Sequence, residues 1–499
     1  MDFFTHLIGG LGVALVPENL LYAFIGAVIG TAIGVLPGLG PPATLALLLP
    51  ITFKINPVSA VILLAGIYYG AMYGGSTTSI LLNIPGEAAS VVTCIDGYQM
   101  ARQGRAGAAL GVSAIGSFFA GTFSVFGLSL LASPLAAFAL KFGYAEYSSL
   151  VILGLVLSIY LSQESVLKGL MMVASGLLIA TVGIDPVFGI ERFTFGASRL
   201  TDGLDLVVVV MGLFGITEVL CNIETPEVRE VFKTSIKKIF PTLEDWRLCW
   251  PSMIRGSLIG FVIGVLPGGG GAISSFASYA VEKRVSKHPE RFGKGAIEGV
   301  MAPEAANNAA STSSFIPLLT LGIPGNATTA MIFVALMIHG IRPGPLLLQH
   351  HPELFWGVIG SMYIGNVMLL ALNLPLIGLW VRLLTIPYRY LAVLVVAICS
   401  VGAYSVTNNV FDVGAMVVFG VFGYFLRKGR YPAVPLVLAM ILGGMLETSV
   451  QQSLIKSGGD LSIFVRRPIS LALLLVSAFL LFSPIVKWFW GRRRSPKRG

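Results

Sequence analysis

The chain has 499 residues, of which 55% are apolar and only 11% are charged, whereas soluble domains carry about 25% charged residues. This composition excludes a soluble globular protein and a disordered chain. The net charge of +9 does not indicate a nucleic-acid partner, because the basic residues cluster in short loops, as the cytoplasmic loops of a membrane protein do. At about 20 residues per crossing, the apolar residues suffice for roughly a dozen membrane segments.

All segments of the first half are predicted to be helical, with breaks at Gly and Pro. Residues 3–16 are too few to span a bilayer and are expected at its interface. A helical hairpin is predicted at about 20–53, and a broken segment at about 73–90. Spans or half-spans are expected near 57–72, 76–86, 107–133, 146–162, 166–184 and 204–223.

The second half is expected to begin after a cytoplasmic loop at 224–255 and to end in a basic cytoplasmic tail at 487–499. It is predicted to contain a second hairpin at 256–281 and a second broken segment at about 303–330. Helical segments are expected near 300–324, 326–341, 355–382, 388–407, 410–426, 432–447 and 468–490.

The second hairpin is predicted from charge. The basic stretches Arg229–Arg255 and Lys283–Lys294 should both be cytoplasmic, yet only 26 residues, Gly256–Val281, separate them. Two full crossings need about 40 residues, so this segment should turn back inside the membrane, at its Pro-Gly run. Irregular backbone at membrane depth occurs only inside protein or beside a water-filled cavity. The turn is therefore a candidate binding site.

An internal repeat relates the two hairpins. Residues 26–40 align with residues 256–270 at an offset of 230, with ten of fifteen positions identical. We therefore divide the chain into a first repeat at 1–223 and a second at 256–486. Few charges flank the first copy (Glu18 and Lys54) and basic loops flank the second, which favours entry from opposite sides of the membrane and hence inverted repeats, as in secondary transporters.

The glycines of the repeated segment allow two interpretations. Their small-xxx-small spacing permits close helix packing, which explains the glycines before each Pro-Gly turn. The turns themselves, at Pro37-Gly38 and Pro267-Gly268, have no such explanation, and we interpret them as tips that face the substrate. Helix packing alone is the alternative.

Glu304 is a carboxylate in an apolar segment beside Asn307 and Asn308. An acid inside a membrane segment is costly and functional by default. Glu304 is thus a candidate cation ligand, proton carrier or hydrogen-bond acceptor for the Asn pair. The alternative is an acid at the membrane interface.

Two clusters of hydroxyl and amide residues accompany Pro-Gly breaks. Such residues often bond only to their own helix or glue helices together, but a broken helix also frees carbonyls for Na⁺ and N–H groups for an anion. The predicted substrate-binding residues are Gly38, Gly40, Ser76, Thr77, Thr78, Gly268, Gly270, Asn307, Asn308, Ser311 and Thr312. The predicted ion-binding residues are Asn83, Pro85, Gly86, Glu304, Pro324, Gly325 and Asn326.

Several long motifs, in order, resemble the large membrane subunit of the tripartite tricarboxylate transporters, the TctA family. The resemblance lies in residues 34–40 and in their copy at 264–270. It also lies in residues 73–86, 89–107, 185–196, 303–315 and 321–330. It implies a multi-pass protein of the bacterial inner membrane that works with a small TctB-like membrane subunit and a periplasmic TctC-like solute-binding protein. It also implies ion-coupled uptake of carboxylates, which in this family include tricarboxylates such as citrate, dicarboxylates and aromatic acids.

The residues agree with a carrier rather than an enzyme, since they contain no HExxH, GxSxG or Walker motif. No CxxC spacing exists among the four cysteines, so no cofactor or metal is expected beyond a coupling cation. A membrane potential of ~100 mV opposes anion entry by about 2.3 kcal/mol per charge, which predicts coupling to Na⁺ or, through Glu304, to H⁺. The alternatives are a carboxylate carrier that works alone and, more remotely, a membrane-embedded enzyme or scaffold.

Overall fold

A computed structural model gives the fold. It describes residues 3–36, 40–162, 165–224, 239–383 and 388–493. Within these ranges the regular structure is almost entirely helical, and the only sheet is a pair of two-residue antiparallel strands, β1 (Gly183–Ile184) and β2 (Glu191–Arg192). The predicted all-α class is confirmed.

The helices before residue 225 are α1 (Phe3–Ala14), α2 (Pro17–Val35), α3 (Pro41–Thr52), α4 (Pro57–Leu82), α5 (Val91–Arg102), α6 (Ala106–Ala139), α7 (Tyr144–Tyr160), α8 (Val166–Ala180), α9 (Leu206–Val210) and α10 (Thr217–Glu224). A π-helical turn, Met211–Ile216, joins α9 to α10, and single 3₁₀ turns occur at Ala88–Ser90 and Ser198–Leu200.

The helices after residue 238 are α11 (Leu243–Val265), α12 (Gly271–Val285), α13 (Glu298–Ser313), α14 (Phe315–Leu321), α15 (Ala327–Ile338), α16 (Leu347–His350), α17 (Pro352–Asn373), α18 (Ile377–Leu383), α19 (Tyr388–Thr407), α20 (Val410–Lys428), α21 (Ala433–Ser457), α22 (Ile463–Arg466) and α23 (Pro468–Arg493). A 3₁₀ turn at Pro289–Arg291 lies between α12 and α13.

Many of these helices have the length and composition of membrane spans. Among the described residues, nine are at least 18 residues long and apolar enough to cross a bilayer, and six further apolar helices are shorter. The chain is therefore a multi-pass membrane protein.

Backbone contacts divide the chain into two compact units. Unit 1 comprises Met1–Ala137 and Val207–Phe425, and unit 2 comprises Phe138–Leu206 and Leu426–Gly499. Each unit combines segments from both halves of the sequence. The division into repeats at 1–223 and 256–486 is one of sequence similarity and stays a prediction.

The glycines of the first repeated segment place the backbone of α2 directly against α4. A Cβ at Gly26, Gly30 or Gly34 would collide with a carbonyl oxygen of α4, that of Leu63, Ile67 or Ala71 respectively. Side chains at these three positions would push the helices apart, so only glycine permits this approach.

The second repeated segment packs in the same way. A Cβ at Gly256, Gly260 or Gly264 would collide with the carbonyl oxygens of Ala302, Ala306 and Ala310 on α13. Each of these carbonyls lies 239 positions after its counterpart on α4. The sequence alone pairs the hydroxyl runs Ser76–Ser79 and Ser311–Ser314 at an offset of 235. This pairing differs from the register of the glycine contacts by four residues, about one helical turn, and is therefore wrong.

Several helix boundaries differ from the sequence predictions, and the predicted segment 355–382 forms two helices, α17 and α18. The predicted segments 57–72 and 76–86 form one helix, α4. Gly74 and Gly75 do not break this helix, and they instead allow Thr31 and Glu87 to approach its backbone closely. Helix α11 begins at Leu243 rather than Gly256, inside the predicted central loop, because Thr242 and Asp245 form a capping box there. Most of the remaining loop, residues 225–238, lies outside the described residues.

Helices α11 and α12 are the two legs of the second hairpin. Arg255 on α11 donates hydrogen bonds of 2.9 and 2.6 Å to the carboxylate of Glu282 on α12, and Ser252 donates to the same carboxylate at 2.8 Å. This ion pair joins the legs at one level, and the chain between its two members turns at residues 266–270.

Unit 2 is held together by small polar and glycine contacts. Gly176 on α8 approaches the carbonyl of Leu436 on α21, and the hydroxyls of Ser149 and Ser470 lie 2.7 Å apart between α7 and α23. In the loop after α8, the backbone N–H groups of Phe188 and Val187 hold the pKa of Asp185 below its ordinary value. This loop is a structural joint, as its Asp-Pro turn indicates.

The glycine contacts predict a specific loss of stability. Gly260→Ala should destabilise unit 1 by about 1–3 kcal/mol, because its Cβ would meet the Ala306 carbonyl. Gly414→Ala is the matched control, since a Cβ on this helical glycine meets nothing within 4 Å. Thermal unfolding of the purified variants in detergent measures the difference, and equal melting temperatures would contradict the packing.

Candidate functional site

Two helix breaks with the same local structure lie in unit 1. Helix α4 ends at Asn83, a non-glycine residue with φ of 59°, and the equivalent end of α14 is Gly322, with φ of 72°. Each end is followed by Ile-Pro-Gly at the offset of 239, residues 84–86 and 323–325. Proline prevents the helix from continuing, so these residues define the breaks.

The residue after each Ile-Pro-Gly caps the helix that follows. Glu87 and Ser90 form a capping box on the 3₁₀ turn before α5, and Asn326 and Thr329 form one on α15. The polar backbone freed at the breaks is thereby satisfied within the protein, as membrane depth requires. The sequence signature is a cap residue followed three positions later by Ser or Thr.

Each of the two cap residues forms a hydrogen bond with a residue of the other repeat. Asn307 on α13 donates from Nδ2 to Glu87 Oε1 at 3.0 Å, and Asn326 donates from Nδ2 to the hydroxyl of Tyr68 on α4 at 2.9 Å. Glu87 corresponds to Asn326, and Tyr68 to Asn307, at the offset of 239. Contacts of this exchanged kind are the pattern of two-fold-related elements.

Glu304 occupies the buried interior of unit 1. It is inaccessible to solvent, and it accepts hydrogen bonds from Ser76 on α4, Thr93 on α5 and, at 3.2 Å, Ser113 on α6. No basic side chain in the described part of the chain forms an ion pair with it. A buried carboxylate of this kind needs a cation or a proton.

The N-terminus of α12 is the second chemically distinctive feature. Gly270 precedes the helix without a side-chain cap, and none of the hydrogen bonds found among the described residues uses the N–H groups of residues 271–273. These residues are partly accessible. Free N–H groups at the positive end of a helix dipole bind anions.

The corresponding end of α3 lacks this capacity. Pro41 and Pro42 stand where α12 has Gly271 and Ala272, and proline carries no N–H. The N-termini of α3 and α12 thus differ in the number of backbone N–H groups that they offer to an anion.

Asn307 links the α12 N-terminus to the first break. It is fully buried, and a Cβ at Gly271 would collide with its Oδ1, an atom without a hydrogen-bond partner. Gly268 adds a link to the second break, because its N–H donates to the Gly325 carbonyl at 2.6 Å.

Several other predicted substrate-binding residues bond to groups of the protein itself. Thr78 donates to the carbonyl of Val35 at 2.7 Å, and Asn308 donates to Ser117 at 2.7 Å. Ser311 donates to its own helix, to the carbonyl of Asn308 at 3.0 Å. Thr77 and Thr312 are buried. Gly40 precedes the first turn of α3.

Gly38, the remaining predicted substrate-binding residue, lies outside the described residues.

The predicted ion-binding residues separate into two places. Asn83, Pro85, Gly86, Pro324, Gly325 and Asn326 build the two breaks. Glu304 lies instead among hydroxyls from α4, α5 and α6. Sequence reasoning missed Thr93, Ser113 and Ser117, because single hydroxyl residues on separate helices carry no local motif.

The fold and these sites define a multi-pass α-helical membrane protein with capped helix breaks and an unpaired buried acid. A family model described as the Tripartite tricarboxylate transporter TctA family matches residues 20–438. The chain belongs to this family, so it is a component of a tripartite transporter with partner subunits.

Two relatives come from Agrobacterium vitis. One, described as an uncharacterized 52.8 kDa protein in the TAR-I ttuC' 3'region, is 52% identical over 477 residues, which cover 95% of each chain. The other, described as an uncharacterized protein in the TAR-II ttuC' 3'region, is 53% identical over 232 residues, 46% of this chain and 96% of the relative. No solved structure matches.

The reciprocal caps predict a measurable coupling. Tyr68→Phe and Asn326→Ala should each destabilise the protein, but together by less than the sum of the two. The expected coupling energy is about 0.5–1.5 kcal/mol, the usual contribution of one hydrogen bond. Unfolding free energies of the four proteins in a double-mutant cycle measure it. Tyr68→Phe combined with Ser149→Ala, which alters unit 2, should be additive.

Proposed function

We propose that this chain is the large membrane subunit of a cation-coupled carboxylate carrier in the bacterial inner membrane. Membership of the TctA family supports the transporter class. Within that class, the proposal rests on the uncapped N-terminus of α12, which lies beside the buried Asn307. A buried acid without a basic partner, Glu304, accompanies it.

The substrate carboxylate is proposed to bind the free N–H groups at the start of α12. These donors are fixed by the helix and carry no formal charge, so they recognise an anion without holding it as an arginine pair would. Weak, oriented binding suits a carrier that must also release its cargo. Tricarboxylates, dicarboxylates and aromatic acids all present the required group.

Coupling to a cation is proposed from electrostatics. At ~100 mV, a divalent anion faces about 4.6 kcal/mol against entry, and a trivalent one roughly 7 kcal/mol. Co-transported cations must at least cancel this charge. The hydroxyl oxygens around Glu304 are hard ligands suited to Na⁺, and the carboxylate itself is the alternative carrier of H⁺.

The partners follow from the tripartite family. We propose a small TctB-like membrane subunit and a periplasmic TctC-like solute-binding protein that delivers the carboxylate, with the C-terminus of this chain in the cytoplasm. A carrier that works alone differs in one testable respect, since it would transport without the binding protein.

Uptake into liposomes tests the proposal. The chain, reconstituted with its membrane subunit, should accumulate carboxylate when an inward Na⁺ gradient and the solute-binding protein are both present. Glu304→Gln keeps the volume of the side chain and removes its charge, and should lower the uptake per folded protein at least about tenfold. The control is Glu353→Gln, at an exposed acid in the first turn of α17.

Three other outcomes of the uptake assay would change the proposal. Uptake that ignores Na⁺ and stops when the pH gradient collapses would assign H⁺ to Glu304. Uptake without the binding protein would favour the carrier that works alone. Conversion of the carboxylate without transport would indicate a membrane-embedded enzyme.

A second pair of variants tests the residue beside the proposed anion site. Asn307→Ala should lower carboxylate uptake at least about tenfold, since it removes the amide that packs against Gly271 at the start of α12 and its hydrogen bond to Glu87. Ser311→Ala is the matched control on the same helix, because its hydroxyl bonds only to the carbonyl of Asn308. Uptake is normalised to the folded protein in the membrane. Equal uptake by the two variants would contradict a role for Asn307 in the site.

A further inference from the structure

A small cavity lies beside the hydroxyls that hold Glu304. Its volume is about 10 Å³, and polar side chains from three helices line it: Tyr73, Ser76 and Thr77 on α4, Ser113 on α6 and Asn373 on α17. This volume accommodates one particle of about the size of a water molecule.

The hydroxyl protons of three lining residues are already in use. Ser76 and Ser113 donate to the carboxylate of Glu304, and Tyr73 donates to Asn366 Oδ1 at 3.1 Å. Asn373 donates from Nδ2 to the carbonyl of Leu369 at 2.9 Å, and its Oδ1 can only accept. These four oxygens therefore have lone pairs left for an occupant but no proton to give it.

Asn373 presents an unsatisfied polar atom at this cavity. Its side chain is 5% exposed, and its Oδ1 has no hydrogen-bond partner. A buried amide oxygen left unpaired costs about 1–3 kcal/mol, so an occupant of the cavity is expected to use it. Asn373 is also the last residue of α17, where the negative end of the helix dipole favours a cation.

We propose that this cavity binds one sodium ion, with Asn373 Oδ1 and the oxygens of Ser76 and Ser113 as ligands. This site rests on the proposed function, since it supplies the coupling cation. Oxygen atoms, including those of hydroxyl and amide groups, are the ligands that hard cations prefer. The negative charge lies one hydrogen bond away, on Glu304, so the bound ion and the ionised carboxylate stabilise each other through the two serines.

The site differs from the ion site expected at the two breaks. It joins α4, α6 and α17, and Glu304 belongs to α13. Binding of the ion therefore connects both repeat-related helices, α4 and α13, through a single hydroxyl, that of Ser76. Loss of the ion would leave the Glu304 charge uncompensated in the same place.

The experiment measures Na⁺ binding without any substrate. The purified full chain in detergent is heated in NaCl, KCl or choline chloride at constant ionic strength, and the melting temperature is followed as Na⁺ is titrated. The wild type should show a saturable rise with Na⁺ alone. Asn373→Leu, which removes the ligand oxygen, should raise the half-saturating Na⁺ concentration at least about tenfold. Asn373→Asp, which keeps an oxygen there, should retain the response.

Two further results decide the proposal if Asn373→Leu fails to fold. Ser113→Ala, which removes one ligand oxygen, should also shift the half-saturating concentration upward, and an unchanged value would overturn the site. An equal rise in melting temperature with Na⁺, K⁺ and choline would mean that the cavity holds water, and would overturn it too.

The uptake assay separates this site from the proposed function. Na⁺-driven carboxylate uptake by a protein whose Na⁺ response survives Asn373→Leu would overturn the site and leave the function standing. A Na⁺ response that depends on Asn373, in a protein that takes up no carboxylate under any gradient, would support the site and contradict the function.

Discussion

The close approach of glycine to carbonyl oxygen, repeated three times along two helix pairs, is the constraint on which unit 1 depends. It places the backbone of α2 directly on that of α4, and the backbone of α11 directly on that of α13. The C-terminal end of α2 and the turn after α11 thereby lie beside the breaks that follow α4 and α14. Gly86, which follows the first break, meets the carbonyl of Gly34, and Gly325, which follows the second, accepts a hydrogen bond from Gly268.

The two repeats share backbone contacts but differ in the side chains that could bind ions. The caps at Glu87 and Asn326 exchange contacts between the repeats, yet the residue that corresponds to Glu304 is Ala65. The α12 N-terminus offers free N–H groups, whereas prolines occupy the same positions of α3. The glycine contacts are thus alike in the two helix pairs, and a few side chains that differ between the pairs are the reason why the anion and the cation are proposed to bind at particular places.

Glu304, the buried acid, connects the structure with the proposed transport cycle. A carboxylate held by three hydroxyls and, among the described residues, by no basic group needs a cation or a proton to compensate its charge. The three hydroxyls belong to α4, α5 and α6, so a change in the charge state of Glu304 acts on several helices together. That property is what a coupled carrier requires, because ion binding must alter the stability of one conformation relative to another.

The sequence alone determined what depends on local pattern. Apolar composition predicted a multi-pass helical protein, the duplicated glycine and Pro-Gly motifs predicted the repeat and the breaks, and an isolated acid among apolar residues identified Glu304. The helix boundaries were less accurate, because Gly74 and Gly75 serve close packing inside α4 and because the Thr242 capping box starts α11 inside a charged stretch.

Only the tertiary structure decided which residues meet. Ser76, Thr93 and Ser113 converge on Glu304 from three helices, and Asn373 adds its unpaired oxygen from a fourth. These residues are far apart in sequence and show no common spacing. The register between repeats was likewise decided by packing, since the glycine contacts require an offset of 239 on α13 where the hydroxyl runs alone indicated 235. Side-chain type predicts what a residue can bind, but the arrangement of helices decides which residues bind it together.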